Sequence, residues 1–325
     1  MSNGNAGGSL PAPAEIDGSL VQSDLTRMRA EAPVSRRGYA AIAMAATLWG
    51  SWSLFFRPAE RLASISPAVQ CFMVYALGIV VVAPLAWRAR RRVRRPLTAW
   101  AMMAAVGVID VLNVLFFFYA MQGASLAVAV LTHYLSVPLV AIAAPLFLGE
   151  RPGRSAWLTL GLALVGLVLL LEPWQSASMK MLGGAAFGGV SAVFFALNVL
   201  ISKRATRHFA WLEVQAWRTP SALLVLLLFV PAGGFLLPGA VYALLGGAAL
   251  LGGLVAGLLY YWGLARIPAA HVTLLGLLEP LVAVGIGIVV WHEIPGPAAA
   301  LGALLILAAL YAATRVVRPQ PAVGG

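Results

Sequence analysis

Long apolar runs separated by short polar stretches divide this chain into ten segments, at 38–56, 67–87, 97–120, 125–148, 155–171, 180–201, 210–230, 237–264, 269–291 and 296–315. Most approach the roughly 20 residues that carry an α-helix across a hydrocarbon core. Small residues recur every four positions in the sixth segment (Gly184, Gly188, Ala192, Ala196) and again in the eighth (Ala249, Gly253, Gly257). Such rows let helix backbones approach closely, and tight helix packing is the role they predict. Residues 1–35 hold Gly, Ser, Pro, Ala and scattered charges without an apolar run, which predicts a disordered cytoplasmic tail. Residues 316–325 form a second short cytoplasmic tail.

The ten segments are one five-segment pattern written twice. Gly38, Ala46 and Gly50 match Gly184, Ala192 and Ala196, each at a spacing of 146, whereas Tyr119, Ala127 and Pro138 match Tyr261, Ala269 and Pro280, each at 142. Five crossings are an odd number, so the second copy enters the membrane from the opposite side to the first. The expected fold is an all-α membrane protein, with ten transmembrane helices arranged as two inverted five-helix repeats, 38–171 and 180–315. Inverted repeats are a common scaffold for alternating access in secondary transporters.

Composition and charge agree with this reading. Hydrophobic residues make up 61% of the chain and charged residues only 10%, against about 25% charged in ordinary soluble domains. The net charge of +11 invites a nucleic-acid reading, but its location argues against one. Arg88, Arg90, Arg91, Arg92, Arg94 and Arg95 crowd one loop between apolar runs, and basic residues are retained on the cytoplasmic face. With both termini inside, 18 of the 22 basic residues fall on the inner side, three (Arg57, Arg61, Lys180) fall outside, and Arg218 lies within a span. This asymmetry predicts a multi-pass protein of the inner (plasma) membrane, with membrane lipids as partners and no nucleic acid. A lone cysteine, Cys71, permits no intramolecular disulfide.

Several enzyme and pump signatures are missing from the sequence. Lys180 follows Met179 and Lys203 follows Ser202, so no Walker A lysine exists. His292-Glu293 lacks the second histidine of a zinc helix, and four scattered histidines with one cysteine make no metal cluster. No cofactor and no metal are implied, and the expectation is a non-enzyme driven by an ion gradient or by its cargo's own gradient.

The chemistry-bearing candidates are ionisable groups inside apolar spans: Asp110, His133, Arg218 and Glu279. Each costs roughly 2.5 kcal/mol or more at a helix centre. At about 1.5 Å per residue, Arg218 and Glu279 come about 12 and about 15 Å from the inner ends of their spans, Asp110 about 20 Å and His133 about 18 Å. Depth therefore groups Arg218 with Glu279 and Asp110 with His133. Two readings stand side by side. These groups either neutralise one another as structural bridges or hold a cargo. Their asymmetry favours cargo: Phe72 stands where the second copy has Arg218, Val137 where it has Glu279, and Leu275 where the first copy has His133.

Asn113 shares a helix face with Asp110 at i, i+3. It offers either an amide to cargo or a helix–helix hydrogen bond. Trp49 and Trp52 lie toward the outer end of the first span, where an interfacial anchor is expected and a wall of a cargo cavity is the alternative. Tyr260, Tyr261 and Trp262 read as a second interfacial belt. Glu150 and Glu293 read as hydrated carboxylates at the ends of the fourth helices. Pro138 and Pro280 each free a carbonyl and permit a kink.

Several of these residues carry a family resemblance. Tyr119, Ala127, Pro138 and Gly149-Glu150 in one copy, and Tyr261, Ala269, Glu279-Pro280, Glu293 and Gly302 in the other, resemble the closing part of an EamA-type repeat of the drug/metabolite transporter superfamily. Leu48-Trp49-Gly50 and Phe195-Ala196 fit its first helix, and Arg218 falls near an arginine that recurs early in its second. The resemblance covers 38–315. It implies a ten-helix carrier, often an exporter of amino acids or other small metabolites. The substrate-binding set expected on these grounds is Trp49, Asp110, Asn113, His133, Arg218 and Glu279, with a small polar molecule as partner and protons as candidate coupling ions. The alternatives are an exporter of lipophilic cations, for which two buried acids near aromatics are suited, and a non-transporting lipid-handling or assembly membrane protein.

Overall fold

The computed structural model describes residues 35–89, 95–176 and 181–315. The amino-terminal tail, most of the basic loop, Lys180 and the carboxyl-terminal tail lie outside the described residues. All regular structure among the described residues is helical. The α-helices are α1 (Arg36–Gly50), α2 (Ser53–Leu62), α3 (Pro67–Ala89), α4 (Leu97–Gly123), α5 (Leu126–His133), α6 (Ser136–Leu148), α7 (Arg154–Leu171), α8 (Met181–Ala205), α9 (Trp211–Trp217), α10 (Thr219–Leu227), α11 (Gly239–Ala248), α12 (Ala256–Leu264), α13 (Ala269–Gly276), α14 (Leu278–Trp291) and α15 (Pro297–Arg315). A π-helical stretch, Ala249–Val255, joins α11 to α12.

Eight helical rods among the described residues are long and apolar enough to cross a membrane. The chain is therefore a multi-pass membrane protein. Two of the ten expected segments depart from that standard. The seventh is broken at Arg218 into α9 and α10, and the tenth holds a shorter apolar helix, Pro297–Ala313.

The breaks have local causes. Proline has no N–H and clashes with the preceding turn. Pro138, Pro220 and Pro280 each follow closely on a break, at Leu135, Arg218 and Leu277 respectively. The first rod bends at Ser51–Trp52, where Thr47 Oγ1 donates to Ala43 O (2.9 Å) and Ser51 Oγ to Leu48 O (2.7 Å). Hydroxyls bonded back to the preceding turn bend helices. Ser35 and Ser125 cap the starts of α1 and α5 by accepting from Gly38 N (3.1 Å) and Val128 N (3.3 Å). Helices α6 and α14 both end on a left-handed residue followed by glutamate, Gly149-Glu150 and His292-Glu293.

The two halves exchange contacts. Helix α4 packs on α8, and α12 packs on α1; α5 and α6 also lie on α8, as α13 and α14 lie on α1. Helix α10 packs on α4, and the π-helical stretch packs on α3. The small-residue row of α8 allows one of these close approaches. A Cβ on Gly188 would fall 1.9 Å from Thr132 Oγ1 of α5, so no larger residue fits without moving α5 away. Packing of this kind replaces the hydrophobic drive that lipid does not supply.

One polar contact is not legible from charge location alone. Arg95, which belongs to the basic loop by sequence, turns inward. Its Nη2 meets Glu213 Oε2 at 2.8 Å and its Nε donates to His208 O at 3.0 Å, over the Phe209 ring at 4.4 Å. Ala210 N also donates to Glu213 Oε2 (2.9 Å), closing the start of α9. The two side chains are 9% and 1% exposed, so this pair is a buried ion pair as well as part of a topology signal.

Candidate functional site

Asp110 sits midway along α4 and is the hub of the interior polar cluster. Its Oδ2 accepts from Arg218 Nη1 and from Tyr75 Oη of α3. Its Oδ1 accepts from Asn198 Nδ2 of α8 at 2.8 Å. Arg218 holds the hinge between α9 and α10, and there its Nη2 donates to Gln215 Oε1 at 3.2 Å. The guanidinium also lies 5.1 Å from the ring centres of Tyr75 and Tyr261, in cation–π range. Backbone approach makes this possible. A Cβ on Gly107, one turn before Asp110, would fall 2.0 Å from Arg218 O.

The cluster extends into the π-helical stretch. Gln215 Nε2 donates to Gly253 O (3.3 Å) and Trp49 Nε1 to Gly252 O (2.9 Å). A π-helical turn leaves carbonyls unmatched within its helix, and such turns are frequent at functional sites. At the spacing of 142, Gly252 is the counterpart of Asp110. The acid of the first repeat is thus matched in the second by a glycine whose carbonyl accepts from a side chain. Trp49 also packs on Tyr260, with ring centres 5.2 Å apart.

The remaining candidates form two further contacts. His133 Nδ1 lies 2.8 Å from Ser191 Oγ, which donates to Asn113 O and Oδ1, both at 2.9 Å. Phe117 and Phe195 enclose the His133 ring. Asn113 is therefore a helix–helix hydrogen-bonding residue between α4 and α8. Glu279 Oε2 accepts from Tyr134 Oη at 3.1 Å, and the same hydroxyl lies 3.2 Å from Gly276 O. That carbonyl sits four residues before Pro280, whose missing N–H leaves it without a helical donor.

The structure corrects several expectations. Depth pairs Arg218 with Glu279 and Asp110 with His133, but the structure pairs Arg218 with Asp110 and gives Glu279 to Tyr134 and His133 to Ser191. Depth fixes height along a helix, whereas lateral neighbours depend on which helices touch. Helix α10 packs on α4, while α14 packs on α1. Tyr260 and Tyr261 are buried core residues rather than an interfacial belt. Trp49 bonds into the protein interior rather than anchoring at an interface. Glu150 is not simply hydrated, since its Oε2 accepts from Ala269 N at 2.7 Å, and Glu293 pairs with Arg57 at 2.7 Å.

Tyr75, Asn198 and Gln215 join the cluster although none carries a charge that would mark it in the sequence. Asn198 lies seven residues after Ser191 on α8, so both meet α4 on one helix face. Gln215 lies one turn before Arg218. That polar periodicity is the available signal.

Comparison with known proteins agrees with this architecture. A model of the EamA-like transporter family matches residues 36–172 and 182–315. An uncharacterized transporter of Archaeoglobus fulgidus is 28% identical over 284 residues, covering 86% of this chain and 97% of its own length. Protein RarD of Streptomyces exfoliatus is 30% identical over 81% of this chain and 83% of its own. The pseudopaline exporter CntI of Pseudomonas aeruginosa is 27% identical over 66% of this chain and 75% of its own. A solved crystal structure superposes with a TM-score of 0.74 at 20% identity, covering 86% of this chain and 99% of that one, which speaks for the fold alone. With the double match spanning both helical halves, the chain belongs to the EamA-like transporter family of the drug/metabolite transporter superfamily.

Proposed function

We propose that this protein is a ten-span secondary carrier, built as inverted halves 38–171 and 180–315, that exports a small zwitterionic metabolite such as an amino acid. Both termini are placed in the cytoplasm of a plasma-membrane protein. The exchanged contacts between halves support the inverted arrangement, and the inner-side excess of basic residues supports the orientation. A relative named as an exporter supports the direction.

The observation that carries the cargo class is the Asp110–Arg218 pair. Intramembrane charge is costly unless compensated. On its own the site is internally neutral, because its acid and base hold each other. A cargo bearing one carboxylate and one ammonium exchanges partners without leaving a net charge. Arg218 presents two nitrogens to the carboxylate, and Asp110 accepts the ammonium beside Asn198. Arg218 Nε and Tyr260 Oη, both buried without a hydrogen-bond partner among the described residues, supply further donors. Trp49 and Tyr260 form an aromatic wall, while Asn113 and His133 fix α4 against α5 and α8. A cargo with one net charge leaves either Asp110 or Arg218 uncompensated.

Counterflow in proteoliposomes tests this directly. A labelled neutral amino acid is exchanged against unlabelled zwitterion, its methyl ester, or its N-acetyl form. The zwitterion is expected to compete at least about tenfold better than either analogue, a difference of roughly 1.4 kcal/mol. Equal competition by the ester overturns the zwitterion reading in favour of lipophilic-cation export. Glu279 favours that second reading, since it forms no ion pair with a basic group among the described residues.

The proposed coupling route is proton exchange through Glu279, Asp110 or His133, the titratable groups inside the spans. In inverted vesicles an uncoupler is then expected to abolish accumulation and to leave counterflow intact. Accumulation that survives collapse of the gradient rules out proton coupling.

A further inference from the structure

The two mouths of the bundle carry the same latch, written once per repeat. Arg57 Nη1 meets Glu293 Oε1 at 2.7 Å, and Arg57 and Arg61 lie 5.2 and 5.5 Å from the Trp291 ring centre. Lys203 Nζ meets Glu150 Oε1 at 3.6 Å, and Arg207 Nη2 donates to Leu148 O at 2.7 Å. Lys203 and Arg207 are the counterparts of Arg57 and Arg61 at a spacing of 146, and Glu293 and Trp291 are those of Glu150 and Leu148 at 143. Each latch joins the first helix of one repeat to the end of the fourth helix of the other. In each, basic side chains meet a helix C-terminus, where positive charge is favoured.

The latches differ in reach. Lys203 Nζ also donates to Leu264 O (2.6 Å) and Ile267 O (2.5 Å), while Glu150 Oε2 accepts from Ala269 N (2.7 Å). That latch therefore clamps the 264–269 turn. At a spacing of 142 the equivalent groups are Gln122, Ser125 and Ala127, and among the described residues neither Arg57 nor Glu293 forms a hydrogen bond to them. Exposure follows the same asymmetry, at 39% and 54% for Arg57 and Glu293 against 14% and 27% for Lys203 and Glu150.

We infer that these are the two gates of the carrier, with the Lys203–Glu150 gate clamped onto the 264–269 turn and the Arg57–Glu293 gate held only by its ion pair and its contacts to Trp291 in this conformation. In the opposite conformation the contacts exchange. Glu293 accepts from Ala127 N, Arg57 donates to the 122 and 125 carbonyls, and Lys203 and Glu150 let go of residues 264–269. A latch made of one ion pair and a few part-buried backbone contacts is small enough to reverse, because partly exposed pairs contribute little net stability. This inference rests on the transporter reading above.

Paired spin labels, measured without cargo, test the gates separately from transport. In a Cys71→Ala background one pair is placed at residues 62 and 122, across the Arg57 mouth, and another at 208 and 266, across the Lys203 mouth. Glu150→Gln keeps an acceptor for Ala269 N but removes the ion pair. It is expected to lengthen the 208–266 distance and shorten the 62–122 distance, by about one helical turn (~5 Å) in the shifted population. Glu293→Gln is expected to leave the Lys203 mouth shut and the 62–122 distance long. Lys203→Arg, which restores the residue type found at Arg57, is expected to keep the parent distances. Unchanged distances in Glu150→Gln, or shifts of one sign at both mouths, overturn the gate assignment. Failure of counterflow with the distance response intact instead overturns the transport reading and leaves the latches standing.

Discussion

Arg218→Leu is expected to abolish counterflow and to destabilise the protein by about 3–5 kcal/mol, because it leaves Asp110 charged, largely buried and unpaired. The informative variant is the double change with Asp110→Leu. A buried pair replaced by apolar groups often recovers stability, so the double variant is expected to melt near the parent protein. Transport stays lost if the pair is the cargo site, since neither the carboxylate nor the ammonium of the cargo then has a partner. Melting in detergent together with counterflow in liposomes separates the two effects. A stable double variant with normal flux sinks the cargo-binding role of both residues. Gln215 and Asn198 hold the pair from either side, so their alanine variants are the natural graded controls.

The second large effect lies away from the cargo site. Glu213 is 1% exposed and takes its charge compensation from Arg95 and the start of α9. Arg95→Leu is expected to cost about 3 kcal/mol or more, leaving a buried carboxylate with only a backbone donor. The double change Arg95→Leu with Glu213→Leu is expected to regain most of that loss and to transport at near the parent rate, because neither residue touches Asp110, Arg218 or their partners. Equal melting temperatures for Arg95→Leu and the parent overturn this structural role. Loss of flux in a stable double variant would instead place α9 in the transport cycle.

Much of the architecture is legible in the amino-acid chain alone. Apolar runs of membrane length, the spacings of 146 and 142, and the crowding of basic residues are properties of the chain itself. In a bilayer the backbone must satisfy its own hydrogen bonds, so length and hydropathy translate almost directly into helices. The helix breaks are partly legible, since Pro138 and Pro280 stand in the sequence where kinks are found, three residues after Leu135 and Leu277. The break at Arg218 has the same kind of cue in Pro220, whereas the π-helical stretch at Ala249–Val255 has none, because no residue pattern demands a π-turn.

The candidate site is legible as a set of residues and not as a geometry. Asp110, His133, Arg218 and Glu279 stand out because a charge or imidazole in an apolar run is rare. Their partners do not follow, because one sequence gives each residue's depth but not which helices touch. The packing of α4 against α8 and α10 decided that Asp110 holds Arg218. It also turned Tyr260 and Tyr261 from expected belt residues into buried neighbours of Trp49 and Arg218, since a tyrosine near a helix end suits either lipid headgroups or a polar cluster. The sequence by itself determined the apolar runs of membrane length, the duplication and the rare charges, because these are written in residue type and spacing alone. Only the tertiary structure decided the pairings and which mouth carries the wider latch, because those depend on contacts between residues far apart in the chain.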